Sequence, residues 1–233
     1  MIGIGTSLLF GRRAGKAGPP IPPFNEAMVD AWFMSGLSNV DKPSSIRGVK
    51  GNEMQLKNFV FTSESGFGEG SYEGALVFDG VDDYGICTGL PILDDYTVIC
   101  RREIVSIKNN SAVASKRTNG SMWDGAFTFE RQSINTNNYL LNYGASNSIP
   151  LAQDSVSYQT SFSYNGTTIN RDTAEDTNQL SLGCALVTTT GASYEFLNCA
   201  IYYFALYNKS LTPEEIETEK ERLNEEWLKR KTE

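Results

Sequence analysis

Histidine is absent from the 233 residues. That removes the side chain that most often moves protons near neutral pH, and the commonest metal ligand. A Ser-His-Asp triad, a Cys-His pair and a histidine-bearing zinc site go with it. Cysteine is scarce: Cys87, Cys100, Cys184 and Cys199, with no CxxC spacing. Each lies in an apolar run, so buried, reduced thiols are expected rather than a zinc or redox motif. Disulfides would have three connectivities open to them, but a domain this large does not require them. No run approaches the roughly 18 apolar residues of a membrane span. Positive charge is in deficit: 20 basic residues stand against 28 acidic ones, a net charge of -8. Nucleic-acid binding needs a basic footprint, and so does docking on an anionic membrane; neither is expected. The opening MIGIGTSLLFGRR carries its arginines after the apolar stretch. That order suits neither a secretory nor a twin-arginine signal.

What is present divides into three parts. Residues 1–23 hold five glycines and end in PPIPP. Such a segment is extended and cannot fold alone. Its apolar side chains, Ile2, Ile4, Leu8, Leu9 and Phe10, leave two readings: a plain tail, or an arm that orders against a partner. Residues 24–211 carry short strands punctuated by turn signals. Strands are expected at 27–34, 58–62, 75–79, 84–88 and 95–103, then through SAVASK, AFTFERQ and NYLLNYG. In SVSYQTSFSYNG, Val156, Tyr158, Thr160, Phe162 and Tyr164 alternate with Ser155, Ser157, Gln159, Ser161 and Ser163. Period two predicts the first set buried and the second wet. Asn165-Gly166 supplies a tight hairpin turn. The run FLNCAIYYFALY, 196–207, is apolar on both faces and predicts a central strand covered on both sides.

Residues 212–233 read as a helix. Thr212 caps it, Pro213 takes the first helical position and Glu215 completes a capping box. Ile216, Leu223 and Trp227 form one apolar stripe. It suits either the sandwich or the same helix of a neighbouring copy, and a homo-oligomer is expected. Glu215, Glu217, Glu219 and Glu221 read as a solvated face. The fold class is therefore all-β: a two-sheet antiparallel jelly-roll sandwich with a C-terminal α-helix and an extended N-terminal arm.

The stretch LVFDGVDDYGIC then carries a resemblance. Phe78-Asp79-Gly80, Asp82-Asp83-Tyr84 and Tyr96-Thr97-Val98, with AIYYFALYNKSLTPEEI at the far end, resemble laminin-G-like or concanavalin-A-like lectin domains. The likeness covers roughly residues 70–218, and the tryptophan usual after the Thr-Val step is replaced by Cys100-Arg101. It implies a jelly roll, and in some relatives bound Ca²⁺. More weakly, the Gly-rich start, the AWFMSGLSNVDKPSSIRG segment and the long helix resemble virion surface proteins of gut bacteriophages and prophages. That implies a non-enzymatic head, tail-fibre or decoration protein on the virion surface, with other virion proteins and host-surface glycan as partners. The alternative is a carbohydrate-binding module of a bacterial surface or secreted protein.

Asp79, Asp82 and Asp83 admit three readings. Asp-Gly turn chemistry explains all of them. Clustered hard oxygens also suit Ca²⁺, although no EF-hand pattern is present. Paired-carboxylate catalysis lacks its spacing, so no catalytic residue and no enzyme activity are expected. For sugar stacking the candidates are Trp123, Tyr139 and Tyr143, in Asn-, Ser- and Gly-rich loops, with plain packing as the bland alternative. Arg101-Arg102 reads as a surface pair for Asp94, Asp95 or Glu103.

Overall fold

The computed structural model describes residues 23–107, 110–117, 125–131, 139–150, 155–187 and 193–233. Among them, eighteen strands run in chain order: β1 (Met28–Phe33), β2 (Ser45–Arg47), β3 (Glu53–Lys57), β4 (Gly66–Phe67), β5 (Leu76–Asp79), β6 (Tyr84–Cys87), β7 (Thr97–Ser106), β8 (Ala112–Lys116) and β9 (Phe127–Arg131). Then follow β10 (Tyr139–Asn142), β11 (Ala145–Ser148), β12 (Val156–Thr160), β13 (Ser163–Tyr164), β14 (Thr167–Thr168), β15 (Leu180–Leu182), β16 (Cys184–Val187), β17 (Ser193–Phe196) and β18 (Asn198–Tyr207). A short 3-10 turn spans Gly70–Tyr72, and one α-helix among the described residues, α1 (Pro213–Thr232), follows the last strand. No described helix is long and apolar enough to cross a membrane.

Two antiparallel sheets face each other. One is ordered β14-β13-β12-β7-β18-β5-β4, with β1 also on β18; the other is β11-β10-β9-β8-β15-β6-β3-β2. The expected all-β sandwich with a C-terminal helix is what the chain forms. β18 sits at the centre of the first sheet, as its doubly apolar sequence predicts. Cys199, Ile201, Phe204 and Leu206 point between the sheets. Ala200, Tyr202, Tyr203, Ala205 and Tyr207 point outward under α1. A register shift between Ile201 and Tyr203 switches the alternation partway along. The start of β18 pairs with Asp79 and its end with Met28 and Thr97, so these residues mark the two ends of the sandwich.

The helix begins as its sequence dictates. Thr212 accepts from the Glu215 amide, and Glu215 accepts in return from the Thr212 amide at 2.8 Å. Ile216, Leu223 and Trp227 are buried against the outer face of the first sheet, so the stripe is spent within the chain. The indole Nε1 donates to the Gly74 carbonyl at 2.9 Å. Tyr202 meets the ring edge-on, and the Arg101 guanidinium stacks over it at 4.4 Å. Gly74 has φ +84°, and a Cβ there would lie 3.1 Å from the indole. The Asn165-Gly166 hairpin also forms, with φ values of 43° and 81° and Tyr164 opposite Thr167.

Four expectations need correction. First, residues 58–62 form a loop; the strand is β3, just before it. Asn58 and Phe61 adopt φ of 68° and 59°, and Phe59 and Phe61 pack as loop residues onto Phe78 and Phe67. Second, the alternation of 155–164 holds only in part: Thr160 and Tyr164 are buried and Ser155 is exposed as expected, and the rest departs. Ser157, Gln159 and Ser161 are fully buried between the sheets, Val156 and Tyr158 are half-buried on the helix side, and Phe162 is 53% exposed. Third, Glu219 is not solvated: it is buried, accepting from Tyr207 Oη at 2.9 Å and from the Asn25 amide at 3.2 Å. Fourth, Arg101 and Arg102 are not a surface pair. Arg101 is drawn into the helix interface, where its Nη1 donates to Asn224.

Arg102 faces the interior and donates from Nε and Nη2 to Glu130, at 2.6 and 2.7 Å. The two side chains are 4% and 0% exposed. Ser157 Oγ and Tyr164 Oη donate to the same carboxylate at 2.6 and 2.7 Å. β9 is irregularly paired beside Glu130, whose φ is +51°. A bulge re-aims a side chain, and here Phe129 and Glu130 both end up buried. The buried polar face of β12 is thus the complement of a buried charge. All four cysteines are buried, and none forms a disulfide among the described residues. Burial pushes the Cys87 thiol up to about 12, so it is a weak nucleophile.

Candidate functional site

Three loops meet at the end of the sandwich where β7 begins. The loop before β7 brings Ile92, Leu93 and Asp94; the β10–β11 turn brings Tyr143; the connection from β14 to β15 brings residues 171–176. They enclose an open cleft of about 580 Å³. Tyr143 holds φ +46° at the turn and packs inward, its hydroxyl donating to the Leu93 carbonyl at 2.6 Å. Its ring lies 5.8 Å from that of Tyr96. Burial raises its phenol pKa above the ordinary value, so the hydroxyl stays protonated and acts as a fixed donor.

Arg171 covers that ring. Its guanidinium stands 4.0 Å from the Tyr143 ring centre and 5.7 Å from that of Phe162. It donates to the Asp95 carboxylate and the Asp94 carbonyl. The exposed Phe162 and Ile92, 53% and 62% accessible, extend the apolar rim. At the cleft floor Asp176 Oδ2 accepts from the Leu93 amide at 2.8 Å and from Lys116 Nζ. Lys116 and Asp176 have side chains only 0% and 1% exposed. Burial pulls the Lys116 ammonium below its ordinary range, with Asp176 opposing the change. Asp176 Oδ1 is buried with no hydrogen-bond partner among the described residues. Such an acceptor is costly to leave unmade, and it favours an incoming donor.

The aspartate knot lies at the opposite end, between β5 and β6. Asp79 Oδ1 accepts from the amides of Val81 and Asp82 at 2.7 and 3.3 Å, an Asx turn as Asp-Gly chemistry requires. Asp83 Oδ2 accepts from the Asp79 amide at 3.0 Å, while its Oδ1 is buried with no close hydrogen-bond partner among the described residues. One oxygen from each of Asp79, Asp82 and Asp83 lies within 4.8 Å of the others. Burial is the main cause that pushes the Asp83 carboxyl up to about 6. The Asp79 amide and Ser65 pull it back, and the charges of Asp79 and Asp82 add to the rise. Clustered hard oxygens are the ligand type that Ca²⁺ takes, and a full set of six to eight needs more than these three side chains.

Of the sequence candidates for ligand binding, Tyr143 lines the cleft, more buried than an exposed stacking platform would be. The backbone of Tyr139 belongs to β10, and its side chain lies outside the described residues. Trp123 lies outside them too, as do Ile2, Ile4, Leu8, Leu9 and Phe10. Arg171, Phe162 and Asp176 escaped the sequence reading. The signal for Arg171 and Asp176 is a lone arginine amid acids in NRDTAED, whereas Phe162, expected in the buried set, stands on the rim.

The fold defines a class, the two-sheet antiparallel sandwich, and comparison with solved structures places the chain there. It superposes on Trypanosoma rangeli sialidase with a TM-score of 0.52 at 14% identity, covering 85% of this chain and 33% of that one. A complex of that sialidase with 2,3-difluoro-KDN gives 0.55 at 14%, covering 88% and 33%. The binding domain of botulinum neurotoxin DC in complex with SialylT gives 0.51 at 11%, covering 82% and 50%. The chain thus spans a third of the sialidase chain and half of the neurotoxin one, and what is shared is the fold. No family model and no curated protein matches the sequence.

Proposed function

We propose that this chain is a lectin-like, non-enzymatic binding protein whose site is the cleft between Tyr143, Arg171 and Asp176. The observation that carries the reading is a three-loop cleft with an aromatic and guanidinium wall, an apolar rim and a buried acceptor left over. Saccharides are bound by that combination of flat apolar surface and fixed polar groups. Two of the fold neighbours are described with sialic acid or a sialylated ligand, which agrees with sugar binding on this architecture. Turnover lacks support: Tyr143 is committed to a backbone carbonyl, and histidine is absent.

A glycan array tests the reading. The intact protein is expected to retain at least one saccharide class. Arg171→Ala and Phe162→Ala should lower that signal about tenfold, the worth of one lost contact of about 1.4 kcal/mol, at unchanged melting temperature. A blank array with folded protein defeats it. In the same reading residues 1–23 hold the domain on a phage virion through Ile2, Ile4, Leu8, Leu9 and Phe10. Removing residues 1–22 should abolish incorporation into particles and leave the domain folded.

The knot is proposed to take Ca²⁺ through Asp79, Asp82 and Asp83. Because the folded Asp83 carboxyl titrates above its unfolded value, its contribution favours folding below about pH 4, the ordinary carboxyl value. That contribution is lost as pH rises through about 6. The wild-type urea midpoint should fall relative to that of Asp83→Asn between these limits. Millimolar Ca²⁺ at pH 7 should restore the wild type and leave Asp83→Asn unmoved. Parallel pH curves and no calcium response would remove the site.

A further inference from the structure

We infer that the cleft selects saccharides rich in hydrogen-bond donors, amino sugars above all, and rejects carboxylated ones; this rests on the saccharide-binding reading above. Asp94, Asp172, Glu175 and Asp176 line the cleft, with Arg171 as the one cation among the lining residues. Arg171 already has the Asp95 carboxylate on Nη1, the Asp94 carbonyl on Nη2 and the Tyr143 ring on its face. The second nearby cation, Lys116, lies beneath the floor and is held by Asp176 and the Thr177 carbonyl. No uncommitted cation among the lining residues is left to meet a ligand carboxylate, whereas several acceptors are exposed.

The floor gives the same sign. Asp176 Oδ2 is saturated by two donors, and Oδ1 has none. A hydroxyl or ammonium at Oδ1 completes the set, and a carboxylate there adds like-charge repulsion. Like charge set against a competitor is the ordinary means of rejecting it. The cleft therefore disfavours sialic acid, which is named with the sialidase neighbour.

Calorimetry with three probes tests this: the glucosamine trisaccharide of chitosan, its neutral N-acetylated form tri-N-acetylchitotriose, and 3′-sialyllactose. The expected order is that order, with at least about tenfold between the first and the last, and with salt weakening the first most. Asp176→Asn should erase the advantage of the amine. Because that change removes the counter-ion of buried Lys116, Asp172→Asn with Glu175→Gln serves as the second variant. It strips two exposed rim charges and should narrow the same gap in a folded protein. Sialyllactose binding as tightly as the others, or a gap unchanged in the rim variant, overturns the inference while leaving sugar binding intact. Silence from all three probes, together with a blank array, removes both.

Discussion

Glu130→Ala is expected to destabilise the protein by about 3–5 kcal/mol, the usual result of removing one partner of a buried ion pair. Against a total stability of roughly 5–15 kcal/mol for a domain, that leaves a chain at or near unfolding. The cause is what remains behind. Arg102 keeps a buried charge and loses the Glu130 carboxylate, and Ser157 Oγ and Tyr164 Oη lose the same acceptor. Guanidinium denaturation checks the size. The control is the pair Arg102→Met with Glu130→Leu, which replaces the ion pair by apolar volume. It should be clearly more stable than Glu130→Ala, because the buried charge is removed together with its partner. Equal losses in the two proteins would mean that packing, not charge, dominates this region.

Trp227→Ala acts on the other layer. Loss of a buried tryptophan costs about 3–5 kcal/mol, and here the indole also holds Gly74, Tyr202 and Arg101 in place. The expected result is a helix that leaves the sheet before the sandwich opens. Its departure exposes Tyr203, Ala205 and Tyr207, a patch able to bind hydrophobic dye. Limited proteolysis should cut at Lys220 or Arg222 in the variant and spare the wild type. Simultaneous loss of helix and sheet signals in a single transition would show that the helix is integral to the sandwich rather than a layer upon it.

Much of the architecture is legible in the sequence because it depends on local chemistry. The Thr212 to Glu215 box and the Asn165-Gly166 turn each need only their own residues. The doubly apolar run that becomes β18 reports its central position directly. The buried polar face of β12 was not legible, because polar alternation says which residues share a face and not which face is wet. What turns Ser157 and Gln159 inward is Glu130 and Tyr96, both distant in sequence. The cleft was hidden for the same reason. Arg171 and Tyr143 are 28 residues apart in the chain and acquire meaning only when the loops converge. The Asp79 turn, built from neighbours, was readable at once.

The direction of β18 has a practical consequence. Residue 28 and the cleft loops share one end of the sheet, and α1 runs back toward the other. The strand's ten residues separate these ends by about 30 Å at roughly 3.4 Å per residue. A fluorophore or affinity handle joined after Glu233 is therefore remote from the binding loops. Immobilisation chemistry for any binding assay thus belongs on the carboxyl side.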